Sequence, residues 1–457
     1  LGLVRSIAVR TTSRWTSLAV MAALTSSCVP SRREVFAPVD REVARRLGLS
    51  TTWRDDGGRV DAATAALLAQ PLGLDEIVRV AVANSERLQA QFEALGIASG
   101  AVADAALLPP TEVDVSYKLA TAGGGSETEL AVVQDLLDLV QRGQRRGVAS
   151  AELAAAQARA VAATVDLVAR AERAFYDVVA AQQTLELRQV AFDAADASAT
   201  LTERMHAAGN TTDLALARER DRREQARIDL ARAGLEVEVG REAVNAVLGL
   251  TEGQTGWSVA GRLPALPSAA PALDDLEVAA LDDSLDLTVL RHEEIAASGR
   301  VRAARTQAWL PSLGVGVAAA RRDGGEWEIG PVLRLGLPLF GQGQGARARA
   351  NAELRQTRRD RTATAIELRA DARATRQRAL AAYAEARQLR DVVLPLRQQI
   401  LDETLLHYNA MNASTVELLL ARRELVDAGQ QYVDALRSYW SAMTEVTALR
   451  RGVMRHP

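Results

Sequence analysis

The chain has 457 residues, 48% hydrophobic and 25% charged, which is too apolar for a disordered tail. Lys+Arg 55 against Asp+Glu 58 leaves a net charge of −3, so no broad basic field exists and nucleic acid is excluded as a partner class. Aromatic residues make up only 4%, so the apolar content is Ala, Leu and Val, which favours thin helix-on-helix packing over the ring-filled core of a compact enzyme.

Arg5, Arg10 and Arg14 precede an apolar run over 15–24, then the small residues Thr25, Ser26 and Ser27, then Cys28. This order reads as a secretory signal over 1–27, too short to span a bilayer permanently. Cys28 is the single cysteine, which excludes a disulfide framework and a thiolate zinc site. Three readings of Cys28 stand: the acylated first residue of a lipoprotein, a residue behind a plain cleaved signal, or an ordinary buried cysteine. Leucine is usual three residues before an acylated cysteine, whereas Thr25 stands there and Leu24 lies one further back. Residues 28–71, with Arg and Pro interspersed, read as a tether. Past the signal no run approaches the roughly 20 apolar residues of a spanning helix.

The remainder is a duplication. Leu74-Asp75-Glu76-Ile77 recurs as Leu273-Asp274-Asp275-Leu276, about 200 residues on, so 72–250 and 273–452 form two structural repeats. Residues 251–272 between them, with Pro264, Pro267 and Pro271, read as a linker, and 453–457 as a tail. In each repeat a helix-period segment runs into proline, at Pro109-Pro110 and at Pro311, where extended backbone must take over. Val113, Val115, Tyr117 and Leu119 then alternate with Glu112, Asp114, Ser116 and Lys118, and Leu313, Val315 and Val317 with Ser312, Gly314 and Gly316. Glycine-rich turns, Gly123-Gly124-Gly125 and Asp323-Gly324-Gly325, return each chain as a hairpin, over 112–140 and 312–340. One face of such strands is aliphatic and the other polar or glycine, the pattern of a membrane β-barrel. A half-buried soluble sheet is the other reading; four strands are too few to close a barrel, so if these strands lie in a membrane several chains must share it.

Helical hairpins follow, over 149–248 and 346–450, with first helices over 149–204 and 346–407 that are far too long for a globular domain. Val161, Val165, Val168, Phe175, Val178 and Leu185 follow heptad spacing, as do Leu418, Leu425, Tyr432, Leu436, Tyr439, Met443 and Val446. Short turns at 208–213 and 411–417 reverse the chain, and Leu214 and Leu418 read as equivalent positions beyond them.

In this order the pattern resembles the TolC-like outer-membrane factors of Gram-negative bacteria, over about residues 72 to 452. The supporting segments are Leu74-Asp75-Glu76-Ile77 leading to Ala83-Asn84-Ser85, Trp309-Leu310-Pro311-Ser312-Leu313, Leu337-Pro338-Leu339-Phe340-Gly341, and Tyr408-Asn409-Ala410-Met411 leading to Glu417-Leu418-Leu419. The resemblance implies an α+β, mainly α fold. Long antiparallel coiled-coil helices form an α-barrel, and three chains each give two β-hairpins to one twelve-stranded outer-membrane β-barrel. It implies a homotrimer in outer-membrane lipid, with the tether in the periplasm, serving a tripartite efflux pump or a type I secretion system. The partners are a periplasmic adaptor and an inner-membrane transporter of the RND or ABC type. The adaptor would dock at the helical tips, Gly209, Asn210 and Thr211 in one and Asn412, Ala413 and Ser414 in the other. Family gate acids map onto Glu417 and, three residues on, onto Leu420, so one acidic ring is expected where the family has two. Glu417 and Asp213 read either as gate residues or as first-turn acids favoured by the helix dipole.

No cofactor and no enzymatic activity are expected. Of the four histidines, His206 and His407 sit at the tips beside Met205 and Met411, a set suited to soft metal ions or simply to polar turns. Gly341-Gln342-Gly343-Gln344-Gly345 lacks the Lys-Ser/Thr of a phosphate loop. Two other classes compete. A periplasmic coiled-coil scaffold or adaptor would use the same heptads but has no need of lipid-facing hairpins. An exported enzyme would need paired carboxylates in a pocket rather than along solvated helix faces.

Overall fold

The computed structural model describes residues 30–54, 62–107, 111–119, 125–251, 253–309, 312–322, 325–336, 341 and 343–454. The signal segment and Cys28, the prolines at 109–110 and 311, the segment 337–340 and His456 lie outside the described residues. The chain divides into two compact units, one containing Gln91–Ala160 and Asp286–Thr364, the other Glu42–Ala90, Val161–Leu285 and Ala365–Pro457.

The first repeat carries α1 (Arg32–Leu47), α2 (Ala62–Leu68), α3 (Leu74–Asn84), α4 (Glu86–Ala106), β1 (Thr111–Leu119), β2 (Ser126–Asp135), α5 (Leu136–Ala207) and α6 (Asp213–Leu248). The second carries α7 (Leu276–Asp282), α8 (Leu285–Trp309), β3 (Ser312–Arg322), β4 (Glu328–Gly336), α9 (Gln344–Gln388), a π-turn over Leu389–Val393, α10 (Leu394–Asn409) and α11 (Thr415–Arg450).

In the first unit the two hairpins join through β2 and β3 into one antiparallel sheet of order β1-β2-β3-β4. Strand β2 stops at Asp135, short of the expected 140, and α5 begins at Leu136 rather than at 149. Asp135 causes the switch, because its Oδ1 accepts from the Asp138 amide at 3.1 Å and caps the new helix. Leu136, Leu137, Leu139 and Val140 then follow a helical period that no strand could use. Helix α1, inside the segment read as a tether, buries Val35 and Val39, and Phe36 meets Phe92 edge to face at 4.9 Å. Glu294 of α8 accepts from Arg358 and Arg361 of α9, both at 2.8 Å.

The second unit holds the longest stretches of coiled coil and most of the aromatic rings. Val161, Val165, Val168, Phe175 and Val178 are buried along α5, as are Leu436, Tyr439 and Val446 along α11. Toward the tips Leu185, Leu418, Leu425 and Tyr432 are only half-buried. Tyr176, Tyr439 and Trp440 form a ring cluster, with Tyr176 stacked on Trp440 at 5.8 Å and Tyr439 edge-on to it at 5.1 Å. Burial pushes the Tyr176 hydroxyl up to about 12.

The proline-bearing linker is fixed by side chains because its irregular backbone leaves carbonyls without ladder partners. Trp440 Nε1 donates to Pro264 O at 2.9 Å, Arg390 Nη1 to Leu266 O at 3.0 Å and Tyr383 Oη to Ser268 O at 3.1 Å. Trp257, fully buried, donates Nε1 to Asn245 Oδ1 at 2.7 Å and lies under the Arg241 guanidinium at 4.6 Å. The Asn84-Ser85 pair also acquires a reason. Asn84 Nδ2 donates to Leu248 O at 2.8 Å and Gly249 O at 2.9 Å, closing the C-terminus of α6, while Ser85 Oγ accepts from the Leu88 amide and caps α4.

The second long helix, expected unbroken over 346–407, contains the π-turn immediately before Pro395. Proline has no amide hydrogen to give to the carbonyl four residues back, and the wider turn absorbs the misfit.

Replacing Trp257 tests the linker anchor. Trp257→Ala should lower unfolding stability by about 3–5 kcal/mol through the cavity it leaves, and Trp257→Phe by about 1–3 kcal/mol through the unpaired Asn245 oxygen. Chemical denaturation in detergent, followed by circular dichroism, checks both.

Candidate functional site

The sheet separates two chemistries. Val113, Val115, Tyr117 and Leu119 of β1, Leu130 and Val132 of β2, Val315 and Val317 of β3, and Ile329, Leu333 and Leu335 of β4 share one face. They stand in solvent in the single chain, Val115 at 70% and Ile329 at 73% exposed, whereas a soluble sheet buries such a face. The opposite face carries Glu112, Asp114, Ser116 and Lys118 on β1, Glu127 and Glu129 on β2, Arg322 on β3 and Glu328 and Arg334 on β4. Its charges pair among themselves: Arg334 Nη1 with Glu112 at 2.8 Å and also with Asp114, Arg322 with Glu127 at 3.2 Å, and Lys118 with Glu129 at 3.5 Å. Glycine is required at Gly316, where any Cβ would collide with the Val132 carbonyl oxygen.

The other candidate region is the pair of helical tips, which share one backbone design. Helix α5 ends with Asn210 N donating to Met205 O at 2.8 Å and Gly209 N to His206 O at 2.9 Å, and α10 ends with Asn412 N donating to His407 O at 2.8 Å and Met411 N to Tyr408 O at 2.9 Å. Both are Schellman closures, with Gly209 at φ 77° and Met411 at φ 62° in the left-handed position. Met411 takes that conformation without glycine's freedom and is 95% exposed. Thr212 and Ser414 then cap α6 and α11, each accepting from the amide three residues on. Matching the caps pairs Leu214 with Val416. The equivalence expected between Leu214 and Leu418 is therefore corrected by two positions: heptad spacing locates a helix face, but the turn fixes the register.

Glu417 completes a capping box. Its Oε2 accepts from Ser414 N at 2.7 Å and Ser414 Oγ at 2.9 Å, and these bonds hold the carboxyl below the usual carboxylate range. Ala215 occupies the equivalent position of the first tip, so only the second has a carboxylate there. Asp213 is nearly fully exposed and meets His206 Nε2 at 2.6 Å. The structure thus joins His206 to Asp213. Asn210, Asn412 and Ser414 are exposed, Thr211 and Ala413 half-buried, and Leu420 is exposed where a second gate acid was expected by resemblance. Among the described residues no three His, Cys, Asp or Glu side chains converge as a metal cluster.

Sequence reasoning missed a cavity of about 180 Å³ between the hairpins, lined by Ser198, Glu219, Arg222, Leu419 and Arg423. Glu219 is buried there, accepting from Ser198 Oγ at 2.9 Å and paired with Arg222. Its charge sits amid the ordinary helical alternation of α6, which gives no signal of burial.

Duplicated helix–hairpin–helix repeats, an amphipathic sheet open at both edges and helical hairpins capped alike make up one known fold. It is the TolC-like fold: the structure matches the outer membrane protein VceC of Vibrio cholerae with TM-score 0.70 and 17% identity, over 84% of this chain and 97% of that one. The CmeC outer membrane channel of Campylobacter jejuni matches with TM-score 0.68 and 15% identity, over 89% of this chain and 95% of that one. In sequence the chain is 24% identical over 420 residues to the cobalt-zinc-cadmium resistance protein CzcC of Cupriavidus metallidurans, covering 91% of this chain and 98% of that protein. No protein-family model matches it.

The capping box yields a pH prediction. A carboxyl depressed by folding contributes stability above its unfolded pKa, and that contribution is lost as pH falls through the folded value. The start of α11 should therefore fray below about pH 4. Ser414→Ala should lift the Glu417 titration toward the ordinary range, read by carboxyl carbon shifts in NMR.

Proposed function

We propose that the chain is the outer-membrane channel of a tripartite efflux pump or type I secretion system, a passive exit duct rather than an enzyme. The observation that carries this reading is the sheet: an exposed aliphatic face on four strands with both edges open is stable only in lipid and only when other chains close it. A periplasmic scaffold or adaptor has no use for such a face. Full-length similarity to VceC and CmeC supports the same reading.

The assembly is a homotrimer in the outer membrane of a Gram-negative cell, held at its N-terminus by a lipid on Cys28. Half-buried heptad residues near the tips, and exposed Leu235, Val239 and Leu406, find cover against neighbouring copies. The tips, with Gly209, Asn210 and Thr211 and with Asn412, Ala413 and Ser414, dock a periplasmic adaptor bound to an inner-membrane transporter. Three copies of Glu417 line the periplasmic entrance as an acidic ring, with Asp213 beside it, and favour cations. Divalent metal ions as cargo accord with the name of CzcC and with that ring.

Planar-bilayer recording of the purified protein tests this. The expected result is a conductance whose reversal potential in a zinc chloride gradient marks cation preference, reduced in Glu417→Gln. A protein that inserts no conductance contradicts the channel, and an unchanged reversal potential in Glu417→Gln contradicts the ring.

A further inference from the structure

The cavity of about 180 Å³ lies within the second unit, walled by α5 and α6 of the first helical hairpin and by α11 of the second. Small side chains create it, because helices packed about 8–10 Å apart leave a gap wherever the facing residues are short. Helix α5 presents Ala191, Ala194 and Ala195, and α6 presents Ala226, while Leu419 and Val426 of α11 complete an apolar floor. An apolar cavity of about 150 Å³ takes a benzene-sized ring, so this one holds a single ring with little room to spare.

The walls above that floor are charged, and most of their charges are already engaged. Buried Glu219 accepts from Ser198 Oγ at 2.9 Å and pairs with Arg222. Arg188 Nη1 donates to Asp427 at 3.4 Å and Nη2 to Gln430, which ties α5 to α11 beside the cavity. Arg423 pairs with the same Asp427 at 3.7 Å, and Asp229 accepts from Gln225 Nε2 at 3.2 Å. Asp221 of α6 and Arg422 of α11 differ from these. Both are exposed, both line the cavity, and neither forms an ion pair with the other or with any other described residue.

We propose that this cavity binds a small aromatic zwitterion of amino-acid size. The ring lies on the alanine floor, the ammonium group meets Asp221 and the carboxylate meets Arg422. An aromatic anion would satisfy Arg422 but bring a like charge toward Asp221, and an aromatic cation would do the reverse. An uncharged ring would fill the floor and leave both rim charges as they stand in the free chain. Only a zwitterion answers the floor and both walls together. Once bound it joins α6 to α11, a second tie between the hairpins beside that of Arg188 with Asp427. Every residue of the site belongs to one chain, so binding needs no second copy.

Equilibrium dialysis of the full chain in mild detergent against radiolabelled L-phenylalanine tests the site. Saturable binding of about one molecule per chain in the millimolar range is expected, with phenethylamine and 3-phenylpropanoate, which each lack one charge, roughly threefold weaker. Arg422→Gln should weaken phenylalanine roughly threefold and leave phenethylamine unchanged, and Asp221→Asn should weaken phenylalanine as much and leave 3-phenylpropanoate unchanged. Ala195→Leu, which fills the floor, should abolish saturable binding of all three. If Ala195→Leu lowers the unfolding midpoint, Ala226→Val fills the facing wall in its place. A parent chain that binds no phenylalanine saturably, binding that both floor variants leave intact, or equal affinity for the three compounds overturns the site. Phenylalanine binding unmoved by both Asp221→Asn and Arg422→Gln overturns the zwitterion.

Discussion

Inside a bilayer every backbone amide and carbonyl needs a partner, and in this molecule β1 and β4 each leave a row of them open. The rest of the structure follows from that constraint. On the proposed outer-membrane reading, a four-stranded sheet with an aliphatic outer face cannot persist alone in lipid, and its edges would meet edges of other copies. Duplication supplies the sheet economically, because each repeat contributes one hairpin and the two join at β2 and β3.

Away from the sheet, cohesion comes from three modest sources that together suit a wall rather than a globule. Heptad packing of small residues gives thin helix pairs. Aromatic rings also meet around Tyr176, Tyr439 and Trp440, where α5 and α11 pack together. The linker between repeats is held by donors from Trp440, Arg390 and Tyr383, so a segment rich in proline becomes a fixed strap without regular structure. At the tips one Schellman design serves both hairpins, with Gly209 in one and the strained Met411 in the other.

Much of this was legible in the residues. Period-two alternation marked β1 and β3, and the recurrence of Leu74-Asp75-Glu76-Ile77 exposed the duplication, while the glycine-rich turns at 123–124 and 323–324 lie outside the described residues. The end of β2 was not legible, because Leu136 to Val140 is apolar under either period and only the Asp135 cap decides between them. The π-turn lies just before Pro395, a proline that the unbroken helical reading of 346–407 ran through. Pairing of β2 with β3 joins segments distant in sequence, and no local pattern encodes such a register. At the tips the sequence located Glu417 and Asp213 correctly at helix starts, and the structure adds what each holds: Ser414 for one and His206 for the other.

The most direct measurement is the mass of the protein extracted from the outer-membrane fraction in mild detergent, by light scattering with the detergent contribution subtracted. A particle of three mature chains is the result this account requires. A monomer recovered from the soluble periplasmic fraction would contradict it.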